Sequence, residues 1–325
     1  MNENYQRILQ VFQEQGDAFL SGEQLSQQLG VSRTAVWKQI ENLRAEGYVF
    51  EAVSRKGYRL VQSPVKLDIA RLMALLETRT FGRSIHYYDE VSSTNTIAHD
   101  KVAQGAEEGT LIIAECQTSG RGRLGRSWFS PKGKGIWMSL VLKPKIPLFF
   151  TPQLTLLTAV AACRSIRRVC AVDVKIKWPN DLLISGKKVT GILLETSAED
   201  ERMKYTVCGI GISVNLKPDD YPKELKQIAT SLGIEAGHEI ERETIIAAFL
   251  KEFEDLCELY YSQGFGPIRI LWEALAVSIG QVVRAHTSQG IIEGKAIALD
   301  DSGALVILQN NGEETKVYSG EIKLN

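Results

Sequence analysis

Apolar positions at helical spacing open the chain. Ile8, Leu9 and Phe12 give a first helix one apolar face, and Gly16 ends it. Ser21-Gly22-Glu23-Gln24 has the form of a capping box, in which Ser21 accepts from a first-turn amide while Gln24 reaches back. The helix it opens turns Leu25 and Leu29 inward and stops at Gly30. Ser32 then caps a third helix with Val36, Ile40 and Leu43 on one face, closed by Gly47. After it, YVFEAVSRKGYRLV alternates like two strands around Arg55-Lys56-Gly57. The pattern predicts a winged helix-turn-helix over residues 1–63. A linker is expected at the bend Val61-Gln62-Ser63-Pro64, since proline disfavours helix in the residue before it.

Beyond the linker the period alternates between 2 and 3.6. SIHYYDE, TLIIAE and IWMSLVL read as strands, with a helix after Ser93-Thr94-Asn95. Thr151-Pro152 opens a buried helix running to about Cys170. VKIKW, LLIS, VTGILLE and YTVCGIGISVNL are further strands, joined by Ser185-Gly186 and by the charged loop SAEDERMK; residues 244–262 are helical. Pairing of this kind predicts a mixed-sheet α+β domain over 64–271. From 272 to 325, GQVVRAHT, IIEGKAIALD, ALVILQ and TKVYSGEIK are short strands between glycine-rich turns, for which an SH3-like β-barrel is the economical fold. The fold class expected is therefore α+β and multidomain.

Charge changes this picture only locally. The 325 residues carry a formal net charge of −1, so no global field draws the chain to nucleic acid or lipid. Residues 31–60, however, hold six Lys or Arg against three Glu, and residues 1–30 hold one Arg against four acids. A wing and third helix so charged fit DNA, with Ser32, Arg33, Thr34 and Lys38 entering the groove and Arg55 and Lys56 on the wing. No secretory signal opens the chain, and IPLFFTPQLTLLTAVAAC from Ile146 carries two prolines, so no membrane span is expected. Five scattered cysteines without a CxxC pair suit a reducing cytoplasm.

The most informative stretch has no acid at all. From Cys116 to Val172, 57 residues include ten Lys or Arg and not one Asp or Glu, where average acidity would place about seven. Half of the cations sit in TSGRGRLGRSWFSPKGKG among five glycines. Glycine lets backbone amides approach a ligand, and arginine supplies forked donors for carboxylate and phosphate, so this reads as an anion-binding loop. Gly120, Gly122 and Gly125 satisfy GxGxxG, but Pro131 breaks any following helix and the next acid is Asp173, so the dinucleotide fingerprint fails. Neither Gly133-Lys134-Gly135 nor Gly186-Lys187-Lys188 completes a P-loop. His86, His99, His238 and His286 lack metal or triad spacing, and no nucleophile elbow supports covalent catalysis.

Ser93-Thr94-Asn95, Gln117 with GRGRLGRSW, KWPND from Lys177 and KKVTGIL from Lys187 follow in an order that resembles the bifunctional biotin–protein ligase and biotin-operon repressor family, across essentially the whole chain. The resemblance implies ATP-dependent formation of biotinyl-5′-AMP and transfer of biotin to a lysine of a carboxylase's biotin carboxyl carrier domain. It implies Ser93, Thr94, Asn95 and Gln117 on the biotin head, with Arg121, Gly122 and Arg123 folding over carboxylate and phosphate. Lys188, rather than Lys187, would touch the biotin carboxylate and the attacked phosphate, so that Lys188, Arg121 and Arg123 carry catalysis. Arg123, Arg126, Trp128, Asn180 and Asp181 would take ATP, with Trp128 on adenine and Asp181 helping to hold Mg²⁺. It further implies a ligand-promoted homodimer that reads a two-fold operator with the adenylate as corepressor. A lipoate–protein ligase and a non-catalytic ligand-sensing repressor are the alternatives.

Overall fold

The computed structural model describes residues 3–45, 47–62, 66–199, 202–288 and 290–324, in two compact units, 1–66 and 67–325. In the first, α1 (Glu3–Gln15), α2 (Gly22–Leu29) and α3 (Arg33–Ala45) precede the antiparallel pair β1 (Val49–Val53) and β2 (Gly57–Gln62). The apolar positions at helical spacing form its core: Ile8, Phe12, Leu25, Val36, Ile40 and Leu43 are buried with Phe50 of β1. The Ser21 capping box closes in both directions, and Ser32 Oγ accepts from the Ala35 amide at 3.2 Å. Gly57, at φ 103°, sits against Leu20; a Cβ there would lie 2.0 Å from the Leu20 carbonyl oxygen, so only glycine lets the hairpin dock. The expected linker is corrected in part. Val61 and Gln62 extend β2, because Gln62 pairs with Val49 across a bulge at Val61, while Ser63 and Pro64 lie outside the described residues.

The second unit contains α4 (Ile69–Leu75), β3 (Ile85–Tyr88), α5 (Thr94–Ala103), β4 (Leu111–Ala114), β5 (Gly135–Leu142), α6 (Thr151–Cys170), β6 (Lys175–Lys177), β7 (Asp181–Ile184), β8 (Lys187–Glu199), β9 (Arg202–Ser213), α7 (Leu232–Ala236), α8 (Arg242–Gln263) and α9 (Gly266–Leu275). Its sheet runs β3-β4-β5-β9-β8-β7-β6, with β3 and β4 parallel and the other neighbours antiparallel. Helices α6, α8 and α9 seal one face, and α5 packs on the other, where Ala98 meets Ile112, Val141 and Val207. SAEDERMK is not the loop that its charge predicts. The strands run on to Glu199 and from Arg202, and Lys204 pairs with Glu199 at 2.6 Å across the ladder. Helices α4, α7 and α9 had no clear sequence signal, and α9 crosses the boundary expected at 271/272, because its apolar face, with Ile268 and Trp272, belongs to the central core.

The terminal strands β10 (Val282–Thr287), β11 (Gly290–Leu299), β12 (Leu305–Gln309), β13 (Glu314–Val317) and β14 (Glu321–Leu324) form an antiparallel sheet in the order β13-β12-β11-β10-β14. TKVYSGEIK is thus two strands, not one. It breaks at Gly320, where a Cβ would come within 2.6 Å of the His286 carbonyl oxygen. Among the described residues no ladder joins β13 to β14, so the barrel is left open on that side.

Candidate active site

The glycine–arginine loop spans β4 and β5, and a buried ion pair holds both of its feet. Glu115, just after β4, accepts from Arg242 at 2.7 Å, from Tyr87 Oη at 2.7 Å and from the Leu67 amide at 2.7 Å. The same guanidinium donates to the carbonyl of Gly135, the first residue of β5. Both partners are almost wholly excluded from water, so removing either would strand a buried charge at a cost of about 3–5 kcal/mol. Between these feet the chain folds into a small hairpin. Arg121 lies opposite Ser127, Gly122 N bonds to Arg126 O at 2.7 Å, and Leu124 and Gly125 take left-handed conformations at the tip.

The loop covers a cavity of about 450 Å³. Ser93, Thr94, Asn95 and Gln117 are among the residues that line it. Ser93 makes no side-chain capping bond, so its hydroxyl is not consumed by the helix that follows. Gln117 Oε1 accepts from the Thr94 amide and hydroxyl while its Nε2 donates to Ser130 Oγ; Ser139 Oγ donates toward Thr94 and Asn95. This is a set of fixed neutral dipoles, suited to an uncharged polar ligand head. Arg121, Gly122, Arg123, Arg126 and Trp128 line the cavity from the loop, and Asn180, Asp181 and Lys188 from the sheet. Every residue expected at the ligase site therefore faces one space.

Lys188 reaches that space through a β-bulge. Leu182 pairs with Thr190 and Leu183 with Lys188, so Val189 is an extra residue in β8. The bulge brings Lys188 onto the face that carries Gly191, while Lys187 stands in solvent. Its ammonium lies 2.7 Å from Asp181 Oδ1 and 5.1 Å from the centre of the Trp128 ring.

The other cations are held differently. Arg121 donates to Thr96 Oγ1 at 2.9 Å and meets the Glu195 carboxylate at 3.3 Å. Arg126 forms a forked pair with Glu321 of β14, at 3.1 and 2.5 Å. Arg123 touches neutral acceptors instead: Asn180 Oδ1, Gly320 O and Ser319 Oγ, each at 3.3 Å. Burial pulls its pKa below the ordinary arginine value, against the opposing pull of Asp181. Asn180 also donates to the Ile192 carbonyl at 2.7 Å, so a base edge would have to compete with bonds it already makes.

Sequence reasoning missed the floor. Gly191 and Gly211 pair across β8 and β9 beneath Trp128; a Cβ on Gly211 would lie 2.2 Å from Trp128 Nε1, and one on Gly209 would lie 2.3 Å from Asn95 Oδ1. The signal was present as two glycines two residues apart in the otherwise apolar run CGIGIS, hence on one face of a strand. Glu195, Thr96, Ser130 and Ser139 gave no signal, because each matters only through a partner distant in sequence. Two carboxylates line the cavity, Asp181 and Glu321; Glu321 is taken up by the forked pair with Arg126, which leaves Asp181 as the candidate toward a divalent cation. Among the described residues no cluster of three or more metal-ligating side chains exists, so the chain alone does not build a cage. One carboxylate does fit Mg²⁺ that arrives with, and is mainly held by, phosphate oxygens.

In the amino-terminal unit, Ser32, Arg33, Thr34 and Lys38 are exposed at the start of α3, as are Arg55 and Lys56 on the hairpin. The Ser32 hydroxyl is engaged as a cap. Trp37, 54% exposed on the same helix face, was not anticipated; its signal is an aromatic residue off the apolar stripe. A groove of about 610 Å³ runs between α3 and the hairpin, with Arg33, Thr34, Trp37 and Arg55 on its walls.

Comparison with known proteins matches three segments of the chain to known families. Residues 87–213 match the biotin/lipoate A/B protein ligase family, 5–59 an HTH domain, and 278–324 the biotin protein ligase C terminal domain. The chain is 48% identical to the bifunctional ligase/repressor BirA of Bacillus subtilis (strain 168), over 98% of this chain and 97% of that protein. It is 31% identical to the protein of the same name from Escherichia coli (strain K12), over 94% and 93% of the two chains. The structure of biotin protein ligase from Aquifex aeolicus in complex with biotin and ATP superposes with a TM-score of 0.65 at 29% identity, covering 75% of this chain and 99% of that one. The chain belongs to the biotin–protein ligase family, in the form that carries an amino-terminal helix-turn-helix domain.

Proposed function

We propose that this protein is a biotin–protein ligase and a biotin-responsive repressor, acting in the cytoplasm. The observation that carries the reading is the meeting of the neutral dipoles of Ser93, Thr94, Asn95 and Gln117 with the cations Arg121, Arg123, Arg126 and Lys188 around a single cavity. A ligand with an uncharged polar head and an anionic tail fits the dipoles with a cation beside them, and a triphosphate fits the remaining cations. Biotin's carboxylate oxygen attacks the α-phosphorus of ATP, an O–P bond forms, and the bond to the β-phosphate breaks, releasing pyrophosphate. Lys188 and Arg123 stabilise the charge that builds on the phosphoryl oxygens, while the loop excludes water. Mg²⁺ arriving with ATP would be held in part by Asp181 and would supply further charge neutralisation. The ε-amine of a lysine on a biotin carboxyl carrier domain then attacks the acyl carbon of biotinyl-5′-AMP, forming an amide with loss of AMP and a proton.

The adenylate also serves as corepressor: by ordering the loop it favours a homodimer whose two winged helices read a two-fold operator, to the extent that it prefers the dimer-competent state. Biotin-dependent exchange of labelled pyrophosphate into ATP tests the enzyme, with lipoate as the control. Exchange is expected with biotin; exchange with lipoate alone, or none, would overturn the reading. Sedimentation with and without biotin plus ATP tests the repressor half, which fails if the mass is ligand-independent.

A further inference from the structure

Arg121 faces a cavity meant for anions, yet it is already neutralised. Its Nη1 donates to Thr96 Oγ1, and its Nη2 lies 3.3 and 3.4 Å from the two oxygens of Glu195. The two partners are anchored unequally. Glu195 stands on β8, opposite Val207 of β9, and its Oε2 accepts from Asn95 Nδ2 at 2.8 Å. His99 Nε2 lies 3.5 Å away, with its Nδ1 3.0 Å from Tyr205 Oη. Arg121 stands instead on the loop between Gly120 and Gly122, where a Cβ on Gly122 would meet only Arg126 of the same loop, at 3.5 Å. If the pair separates, the arginine moves and the glutamate stays, still supported by Asn95 and His99.

We infer that Glu195 is an exchangeable counter-ion for Arg121, holding it in the ligand-free protein and yielding it to the ligand's carboxylate. Glu195 touches no ligand; it is a positioning and specificity residue acting through Arg121. One carboxylate replaces another, so the cavity never carries the full repulsion of its clustered cations. A neutral analogue cannot displace Glu195 and gains nothing from Arg121. Both side chains are partly exposed, 43% and 30%, so the pair is worth a modest factor and not a decisive one.

The inference rests on the ligase reading above. Its test compares Kd for biotin and for biotinol, in which CH₂OH replaces the carboxylate, in the full-length wild type and in Glu195→Gln, whose amide oxygen still accepts from Asn95. Biotin is expected to bind the variant about three-fold more tightly, with biotinol unchanged. Equal or weaker biotin binding, or the same change for both ligands, would overturn the inference. A wild-type crystal structure with biotin is the second measurement, and it decides alone if the variant does not fold. Arg121 is expected on the biotin carboxylate and more than 4 Å from Glu195, and an intact pair would refute the exchange. A wild type that binds neither ligand would overturn the ligase reading and this inference together, whereas unchanged affinities in Glu195→Gln would overturn this inference alone.

Discussion

Two regions of the molecule are basic, and they use the same residue types in opposite ways. On α3 and its hairpin, Arg33, Lys38, Arg55 and Lys56 stand in solvent, the nearest recorded carboxylate to Arg33 being that of Glu23 at 3.8 Å. In the cavity, Arg121, Arg126 and Lys188 are each matched with a carboxylate at 3.3 Å or less, while Arg123 makes bonds to neutral oxygens only. Solvated cations attract a polyanion at long range and release counterions when it binds, so their effect falls with salt. Cations already paired attract little from afar and act by replacing one partner with another at contact. The difference separates a surface that finds DNA from a pocket that discriminates among small anions.

The sharpest break between the two is removal of one. Deleting residues 1–62 is expected to abolish operator binding in a gel-shift assay, while pyrophosphate exchange persists within about three-fold, since 67–325 has its own core. Loss of both would show that the units are not chemically separable. Next in size, Lys188→Ala is expected to lower kcat for exchange by about 10²–10³, as for loss of a charge-stabilising donor, with Lys187→Ala within two-fold. Equal effects would mean that the bulge at Val189 does not select between them.

Gly211→Ala is expected to cost about 1–3 kcal/mol of stability and to displace Trp128, because the added methyl would overlap its indole. Thermal unfolding and tryptophan fluorescence check both parts, and an unchanged melting curve would count against the glycine floor. A smaller effect sharpens the other side: Arg33→Ala should weaken operator binding and reduce the slope of log K against log salt by about one.

The pH dependence is the smallest expected effect. Glu195 lies below glutamate's ordinary value although burial, its largest influence, pulls upward, because Asn95 and Arg121 together outweigh it; Glu321 is lowered chiefly by the Arg126 hydrogen bond. A carboxyl depressed by folding contributes stability that is complete above its unfolded value and lost as pH falls through the folded one. Amide exchange in residues 116–134 should therefore quicken on acidification below about pH 4.5, beyond the intrinsic change. Loosening on passing from pH 5 to 8 would contradict it.

What could be read from sequence follows from how local each feature is. The winged helix was legible in its caps, glycines and apolar spacing because its contacts join neighbouring segments. The cavity's cations were legible because glycine and arginine without acid leave a compositional trace. Their partners were not: Glu195 lies 74 residues from Arg121, and Glu321 lies 195 from Arg126, distances that no local pattern spans. The charged run from Ser197 to Lys204 misled for the converse reason: Lys204 meets Glu199 across the β8–β9 ladder, a pairing that either segment read alone does not show.

A crystal structure of the full chain with biotin and a non-hydrolysable ATP analogue tests the central claim most directly. The account places the biotin carboxylate and the α-phosphate side by side under the hairpin, within hydrogen-bonding distance of Lys188 and Arg123. Both ligands bound elsewhere, with that hairpin untouched, would contradict it.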